Sequence, residues 1–302
     1  MARIIDDTFI RTELGAPQAV AWMREALVAH SAGDLVGPAR VTANLDDGLL
    51  VFTAGRLRGE WYGFRSYATL PLPGGRAAEQ LTVVHDEATG EVRGIAIGHE
   101  LEPRRTGALG GVAAGALARR DASTLALIGT GTQAYAQLWA INAGHTLTEV
   151  RVYSPTPGKP QAFAGRAAAE LGLDVRPCAT ARDAVAGADL IVLATTAREP
   201  VIETAWIEPG AYVASVGPKA RGASELPADL GAACDVIVSD SPHQWADMAP
   251  TALGEDGPPV EGLGDVVAGL VPGRTTAAQR TLYLSTGLAG TEAYLLARLV
   301  GR

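Results

Sequence analysis

Leu125-Ala126-Leu127-Ile128 runs straight into Gly129-Thr130-Gly131-Thr132-Gln133-Ala134, and Tyr135-Ala136-Gln137-Leu138-Trp139-Ala140 follows. A short, fully apolar run predicts a strand buried on both faces, as in parallel sheets, and the last segment is helix-forming. Between them, Gly129 permits a turn closed to other residues. Gly131 lets main chain approach a ligand closely, and Ala134 keeps the helix near the strand. The unpaired N–H groups and dipole at such a helix start favour an anion. Gly-x-Gly-x-x-Ala alone is weak in a chain with 36 glycines. The strand before it and the helix after it supply the context that points to a dinucleotide pyrophosphate.

The 302 residues, 47% hydrophobic and 19% charged, suit two modest domains or one large one with a sizeable core. Net charge is −8 and there is no basic run, which argues against nucleic-acid and anionic-membrane partners. Cys178 and Cys234, the only two cysteines, form no disulfide framework or metal-ligand spacing, and both are expected as small buried residues. No metal is expected. Met-Ala-Arg-Ile-Ile-Asp-Asp does not read as a signal peptide, and no apolar run approaches the roughly 18 residues of a membrane span, so the expectation is a soluble cytoplasmic protein.

Residues 16–30 predict an amphipathic helix with Pro17 near its start and His30 at its end. Residues 35–100 predict a hairpin-rich antiparallel sheet, with short runs at 49–52, 61–64, 81–84 and 91–97. A small-residue helix is expected over about 107–120. Strands and helices then alternate: strands at 150–153, from 175, at 190–194, 211–216 and 236–238, with a helix at 161–171. That pattern predicts a doubly wound parallel sheet, whose ligands lie beyond the carboxyl ends of its strands. Thr195, Thr196, Gly217, Lys219 and Asp240 would then be on the active side. Residues 241–280, including Gly254-Glu255-Asp256-Gly257-Pro258-Pro259, read as loop-rich, and 281–300 as strand, glycine turn and helix. The fold class is therefore α/β: a Rossmann-type doubly wound parallel sheet plus a discontinuous α+β substrate and dimerisation domain. The boundaries are 1–108 with 282–302 for the latter, and 109–281 for the dinucleotide-binding domain.

Several further segments carry a resemblance. With Pro38-Ala39-Arg40, Gly63-Phe64-Arg65, Arg104-Arg105-Thr106-Gly107-Ala108, the glycine turn, Ala188-Asp189-Leu190-Ile191-Val192, Ser224-Glu225-Leu226 and Ser285-Thr286-Gly287, the chain resembles the ornithine cyclodeaminase/mu-crystallin family over nearly its whole length. The Arg-Thr-x-Ala and Gly-x-Gly-x-Gln-Ala motifs together are fairly specific. The resemblance implies a homodimer that passes a hydride between a nicotinamide and a carbon bearing nitrogen. On that resemblance the chain is expected to be an NAD(P)H-dependent reductase or dehydrogenase acting on an imine or amine carbon beside a carboxylate. The alternatives are an ornithine cyclodeaminase-type lyase with recycled NAD and a non-catalytic NADPH-binding protein of the mu-crystallin kind.

By this match Arg105 and Arg40 would clamp the substrate carboxylate, since arginine offers a planar fork of donors. Arg65 stands where the family commonly has lysine. With a pKa above about 12 it cannot give up a proton near neutral pH, so as a catalytic or substrate-binding residue it would hold a second anionic group. Lys219 stands where cyclodeaminases carry an acidic residue. Near arginines and a positive ring it is expected to titrate low, which suits proton transfer to nitrogen. Gly129, Thr130, Gly131, Thr132, Gln133, Ala134, Thr195, Thr196, Gly217 and Ser285 would hold the cofactor. After the second strand come Ser154, Thr156 and Lys159 and no carboxylate, which favours NADP over NAD. Glu149 precedes that strand and is not the ribose ligand. Glu100 and Glu102 are expected to flank Arg105, and His243 is expected in a loop.

Overall fold

A computed structural model gives the structure of the chain and describes residues 2–220, 222–248, 253 and 257–301. It divides into two compact units, Met1–Arg105 with Leu288–Arg302, and Thr106–Gly287.

The first unit is built on a mixed sheet of β1 (Arg3–Ile5), β2 (Leu35–Val36), β3 (Val41–Asn44), β4 (Leu49–Leu57), β5 (Trp61–Ala68), β6 (Gln80–Asp86) and β7 (Val92–Gly98). Its order is β1-β7-β6-β5-β4-β2, with β3 also on β4, and every pairing is antiparallel except β1 with β7. The strands outrun the short alternating runs because hydrogen-bonded pairing continues past the apolar residues. Helices α1 (Asp7–Glu13) and α2 (Ala16–Ser31) precede the meander, and α10 (Thr291–Val300) returns from the end of the chain. Helix α2 carries its proline in the first turn, and His30 at its end bonds the Leu35 carbonyl through Nδ1 at 3.0 Å. Alternation along β4 turns Val51, Thr53, Gly55 and Leu57 inward. There α10 comes so close that a Cβ on Gly55 would lie 2.3 Å from Gly290 Cα.

The second unit is a parallel sheet in the order β10-β9-β8-β11-β12-β17-β15-β16. Its strands are β8 (Thr124–Ile128), β9 (Glu149–Tyr153), β10 (Val175–Pro177), β11 (Leu190–Leu193), β12 (Tyr212–Ser215), β15 (Val236–Ser239), β16 (Val260–Gly262) and β17 (Thr281–Leu284). A two-strand hairpin, β13 (Lys219–Ala220) with β14 (Ala223–Ser224), projects after β12. Helices α4 (Thr132–Ile141), α5 (Lys159–Leu171), α6 (Ala181–Val185), α7 (Leu230–Ala233), α8 (Pro242–Met248) and α9 (Leu263–Ala268) alternate with the strands. Leu125, Leu127, Leu190, Ile191 and Val192 are all 0% exposed, as a sheet covered on both faces requires.

Four sequence expectations shift. Helix α3 spans Leu101–Leu117, starting earlier than 107 because the Asp7 carboxylate caps the His99 and Glu100 N–H groups at 2.8 Å. The boundary between units falls within it, after Arg105 rather than 108. Strand β17 pairs with β12 and β15, so residues 282–284 belong to the parallel sheet, and the second unit runs on to Gly287. Residues 241–280 hold α8, β16 and α9 rather than loop alone, and exposed His243 lies on α8. Gly254, Glu255 and Asp256 of the expected loop lie outside the described residues.

Candidate functional site

The chain leaves β8 toward β9 on one side and later fills β11 on the other, so the order reverses between β8 and β11. A cavity of about 550 Å³ opens there, at the carboxyl ends of the strands. It is lined by Gly129, Thr130 and Gly131 after β8, Tyr153 to Thr156 with Lys159 after β9, and Ala194 to Ala197 after β11. Gly129 has φ +118, and its N–H donates to the Tyr153 carbonyl at 2.9 Å. Gly131 is the N-cap of α4 and no side chain caps that end. Thr132 begins the helix, and Ala134 is 0% exposed against the sheet. Lys159 opens α5, two residues ahead of the expected start. Among the described residues no Asp or Glu lines the cavity. Glu149 is the first residue of β9, and its carboxyl is pulled to about 2 by hydrogen bonds from Arg151, with Arg176 adding to them.

A buried carboxylate organises the same edge. Glu225, 0% exposed, accepts from Thr195 N at 3.0 Å, Thr195 Oγ1 at 2.8 Å, Ser215 Oγ at 2.7 Å and Gly217 N at 2.7 Å. It ties the ends of β11 and β12 together. Lys219 is 3% exposed, and its Nζ donates to the Gly217 and Ser285 carbonyls, each at 2.8 Å. Those carbonyls lie just beyond β12 and β17, so the lysine is gathered at the strand ends with Gly217 and Ser285. Asp240, beyond β15, accepts from Thr286 N at 2.7 Å and Gly287 N at 2.9 Å. Thr196 lines the cavity. Thr132, Gln133, Ala134, Gly217 and Ser285 are not among its lining residues.

In the first unit two arginines share one carboxylate. Arg65 and Arg105 are 8% and 5% exposed, and Glu292, on the first turn of α10, is 2% exposed. Glu292 Oε1 accepts from Arg65 Nη1 at 2.8 Å and from Arg105 Nη2. Arg65 Nε also donates to Gln80 Oε1 at 2.8 Å, and its guanidinium lies 4.2 Å from the Tyr67 ring centroid. Thr53 and Thr82 are its direct cross-strand neighbours. Burial by itself raises the Glu292 carboxyl, but the Arg105 and Arg65 charges outweigh it and hold the group below the usual carboxylate range. Glu102 Oε1 stands 3.9 Å from Arg105, whereas Glu100 pairs with Arg11 and Arg104. Arg40 is exposed just before β3, outside this buried group.

Sequence reasoning misses Glu292 and reads Glu225 only as part of a motif. A signal for the first exists. The returning helix is buried almost throughout, and a carboxylate in such a helix needs buried cations. Cys234 is buried while Cys178 is only half-buried, a correction to the expectation for the pair. Among the described residues no group of His, Cys, Asp and Glu could hold a metal ion, and no helix is long and apolar enough to cross a membrane.

A Rossmann-type parallel sheet with a glycine turn at its switch point, joined in sequence to a mixed-sheet unit with paired buried arginines, defines a class. The chain belongs to the ornithine cyclodeaminase/mu-crystallin family, which it matches over residues 6–300. The Delta(1)-pyrroline-2-carboxylate reductase of Bacillus cereus is 30% identical over 292 residues, 90% of this chain and 87% of that one. The structure of Thermococcus litoralis Delta(1)-pyrroline-2-carboxylate reductase in complex with NADH and L-proline matches with a TM-score of 0.89 at 26% identity, over 99% of this chain and 96% of that one. An archaeal alanine dehydrogenase dimer with bound NAD matches with a TM-score of 0.87 at 25% identity, over 99% and 94%.

Proposed function

We propose that this chain is an NAD(P)H-dependent oxidoreductase that reduces a C=N carbon beside a carboxylate, or runs the reverse reaction on the amine. The carrying observation is the buried pair Arg65 and Arg105, two cations sharing the one carboxylate of Glu292, in a chain whose other unit has a cavity at the glycine turn. The pyrroline-carboxylate reductases and the alanine dehydrogenase act on an imine acid or an amino acid, which supports the same reading. Gly129, Thr130 and Gly131 with the start of α4 would hold the pyrophosphate, and Thr195 and Thr196 the middle of the nucleotide. Ser154, Thr156 and Lys159 would take a ribose 2′-phosphate, so NADP is preferred over NAD. When bound, the nicotinamide supplies or accepts the hydride. Arg105 would fork onto the substrate carboxylate, with exposed Arg40 in a supporting role. Lys219, or a water it holds, would deliver the proton to nitrogen. A lysine in place of an acid at 219 supports the reductase over a cyclodeaminating lyase.

The test is absorbance at 340 nm with NADPH or NADH and Δ1-pyrroline-2-carboxylate, Δ1-piperideine-2-carboxylate, or pyruvate with ammonia or methylamine. The expected result is oxidation of NADPH, faster than of NADH, with at least one imine. No oxidation with any of them would sink the proposal, and equal use of both nucleotides would sink the NADP assignment.

The same reading includes a homodimer through the sheet face of the first unit turned away from α10. Ile4, Val41, Phe52 and Ile97 on that face are 67, 66, 37 and 39% exposed, and exposed apolar residues gathered on one face are the mark of an interface. Light scattering is expected to give twice 31.1 kDa, and Val41→Lys with Phe52→Lys to give a monomer. A wild-type monomer at micromolar concentration excludes the assignment.

A further inference from the structure

Glu292 deepens the proposed function, and its role rests on the buried arginines holding the substrate carboxylate. The sequence alone suggests that Arg65 takes a second anionic group from the substrate. The structure gives that place to the protein. Arg65 has Nη1 on Glu292 and Nε on Gln80, with its face over Tyr67. The same Glu292 oxygen also accepts from Arg105. Glu292 sits in the first turn of a helix buried on nearly all sides, so it cannot swing out to make room.

Two guanidinium charges and one fixed carboxylate leave one positive charge. Glu102, 3.9 Å from Arg105 and 18% exposed at its side chain, adds more negative field rather than less. The positive field that Glu102 leaves uncancelled suits one substrate carboxylate at most. A second one would enter next to a carboxylate already there, in a region where water screens little.

We propose that Glu292 is a specificity-determining residue. It stands in for a second substrate carboxylate and restricts the site to imines or amino acids whose only anionic group is the one beside the reacting carbon. Glu292→Gln keeps the shape and removes the charge, so it turns the discrimination against a second carboxylate into a preference for one.

Pyrrole-2-carboxylate and pyrrole-2,5-dicarboxylate form a matched pair of unreactive planar probes, the second differing by one carboxylate. Calorimetry on the full chain with NADPH present measures both. The wild type is expected to bind the monocarboxylate at least about tenfold tighter, and E292Q to shift the ratio toward the dicarboxylate by about a hundredfold, two pK-equivalents of electrostatic work. Glu292→Asp, which keeps the charge, should stay within a fewfold of wild type. A purely structural role predicts equal weakening for both probes and no change in ratio. The wild-type ratio alone is decisive if E292Q does not fold: equal or tighter binding of the dicarboxylate overturns the assignment. An unchanged ratio in folded E292Q also overturns it, even while the wild type still reduces an imine, so the broader reading would survive. Failure of the wild type to bind either probe overturns the assignment too, and if no imine is reduced either, the proposed function falls with it.

Discussion

Arg105→Ala is expected to lower kcat/KM for the imine substrate by about a thousandfold. Each charge-assisted hydrogen bond contributes about 1.5–3 kcal/mol, and a two-pronged fork on a carboxylate supplies two, so about 3–6 kcal/mol is at stake. At about 1.4 kcal/mol per tenfold, that spans roughly 10²–10⁴. Stability is the competing effect, because Arg105 is 5% exposed and also holds Glu292. Stranding a buried charge costs about 3–5 kcal/mol. Here Arg65 keeps its own 2.8 Å contact with the carboxylate, so the loss should fall at the low end of that range. Arg105→Lys restores the charge without the fork and should recover only about tenfold of the activity. Steady-state kinetics beside urea denaturation separate the two effects. Folded R105A with wild-type kcat/KM would remove Arg105 from the substrate site.

Local chemistry makes one half of the molecule legible and long-range chemistry hides part of the other. The run from Leu125 to Ala134 shows strand, turn and helix because its cause is local: four apolar residues, two glycines and an alanine in fixed order. The switch point follows from the alternation of strands and helices alone. Lys159 and Ser154 can be placed because they follow a recognisable strand. Arg65 reads as a residue of the right place and charge, but its partners come from residues 80 and 292. A contact 227 residues distant leaves no periodicity to read. Glu225 is hidden for a related reason. Its four donors come from the ends of two strands that meet it only in the folded sheet. The start of α3 is misplaced because Asp7, nearly a hundred residues away, caps it. In each case the missing information is a carboxylate bonded to donors far away in the sequence or met only in the folded sheet, and the two buried ones, Glu225 and Glu292, must find donors wherever the fold supplies them.

Gly129→Ala and Gly131→Ala should part company, and the contrast tests the cofactor site more sharply than either alone. At Gly129 the backbone has φ +118, and an added Cβ would stand 2.2 Å from the Ala194 carbonyl oxygen. That oxygen is main chain at the end of β11, where Ala194 N donates to the Ile128 carbonyl at 2.9 Å. The collision therefore pushes β8 and β11 apart. Positive-φ strain of about 1–2 kcal/mol and overpacking of about 1–3 kcal/mol predict a total loss of roughly 2–5 kcal/mol in stability. Thr195 moves with that strand end, so nucleotide affinity should fall with the fold. At Gly131 φ is −83 and nothing stands within 4 Å of an added Cβ. G131A should melt as the wild type does. Its methyl occupies the approach to the α4 N–H groups, and losing two such contacts to a phosphate at about 1.5–3 kcal/mol each weakens NADPH binding by about a hundredfold or more. Fluorescence titration with NADPH beside thermal melting reads both variants. A G131A protein that binds NADPH as tightly as wild type would mean that no pyrophosphate lies against this turn.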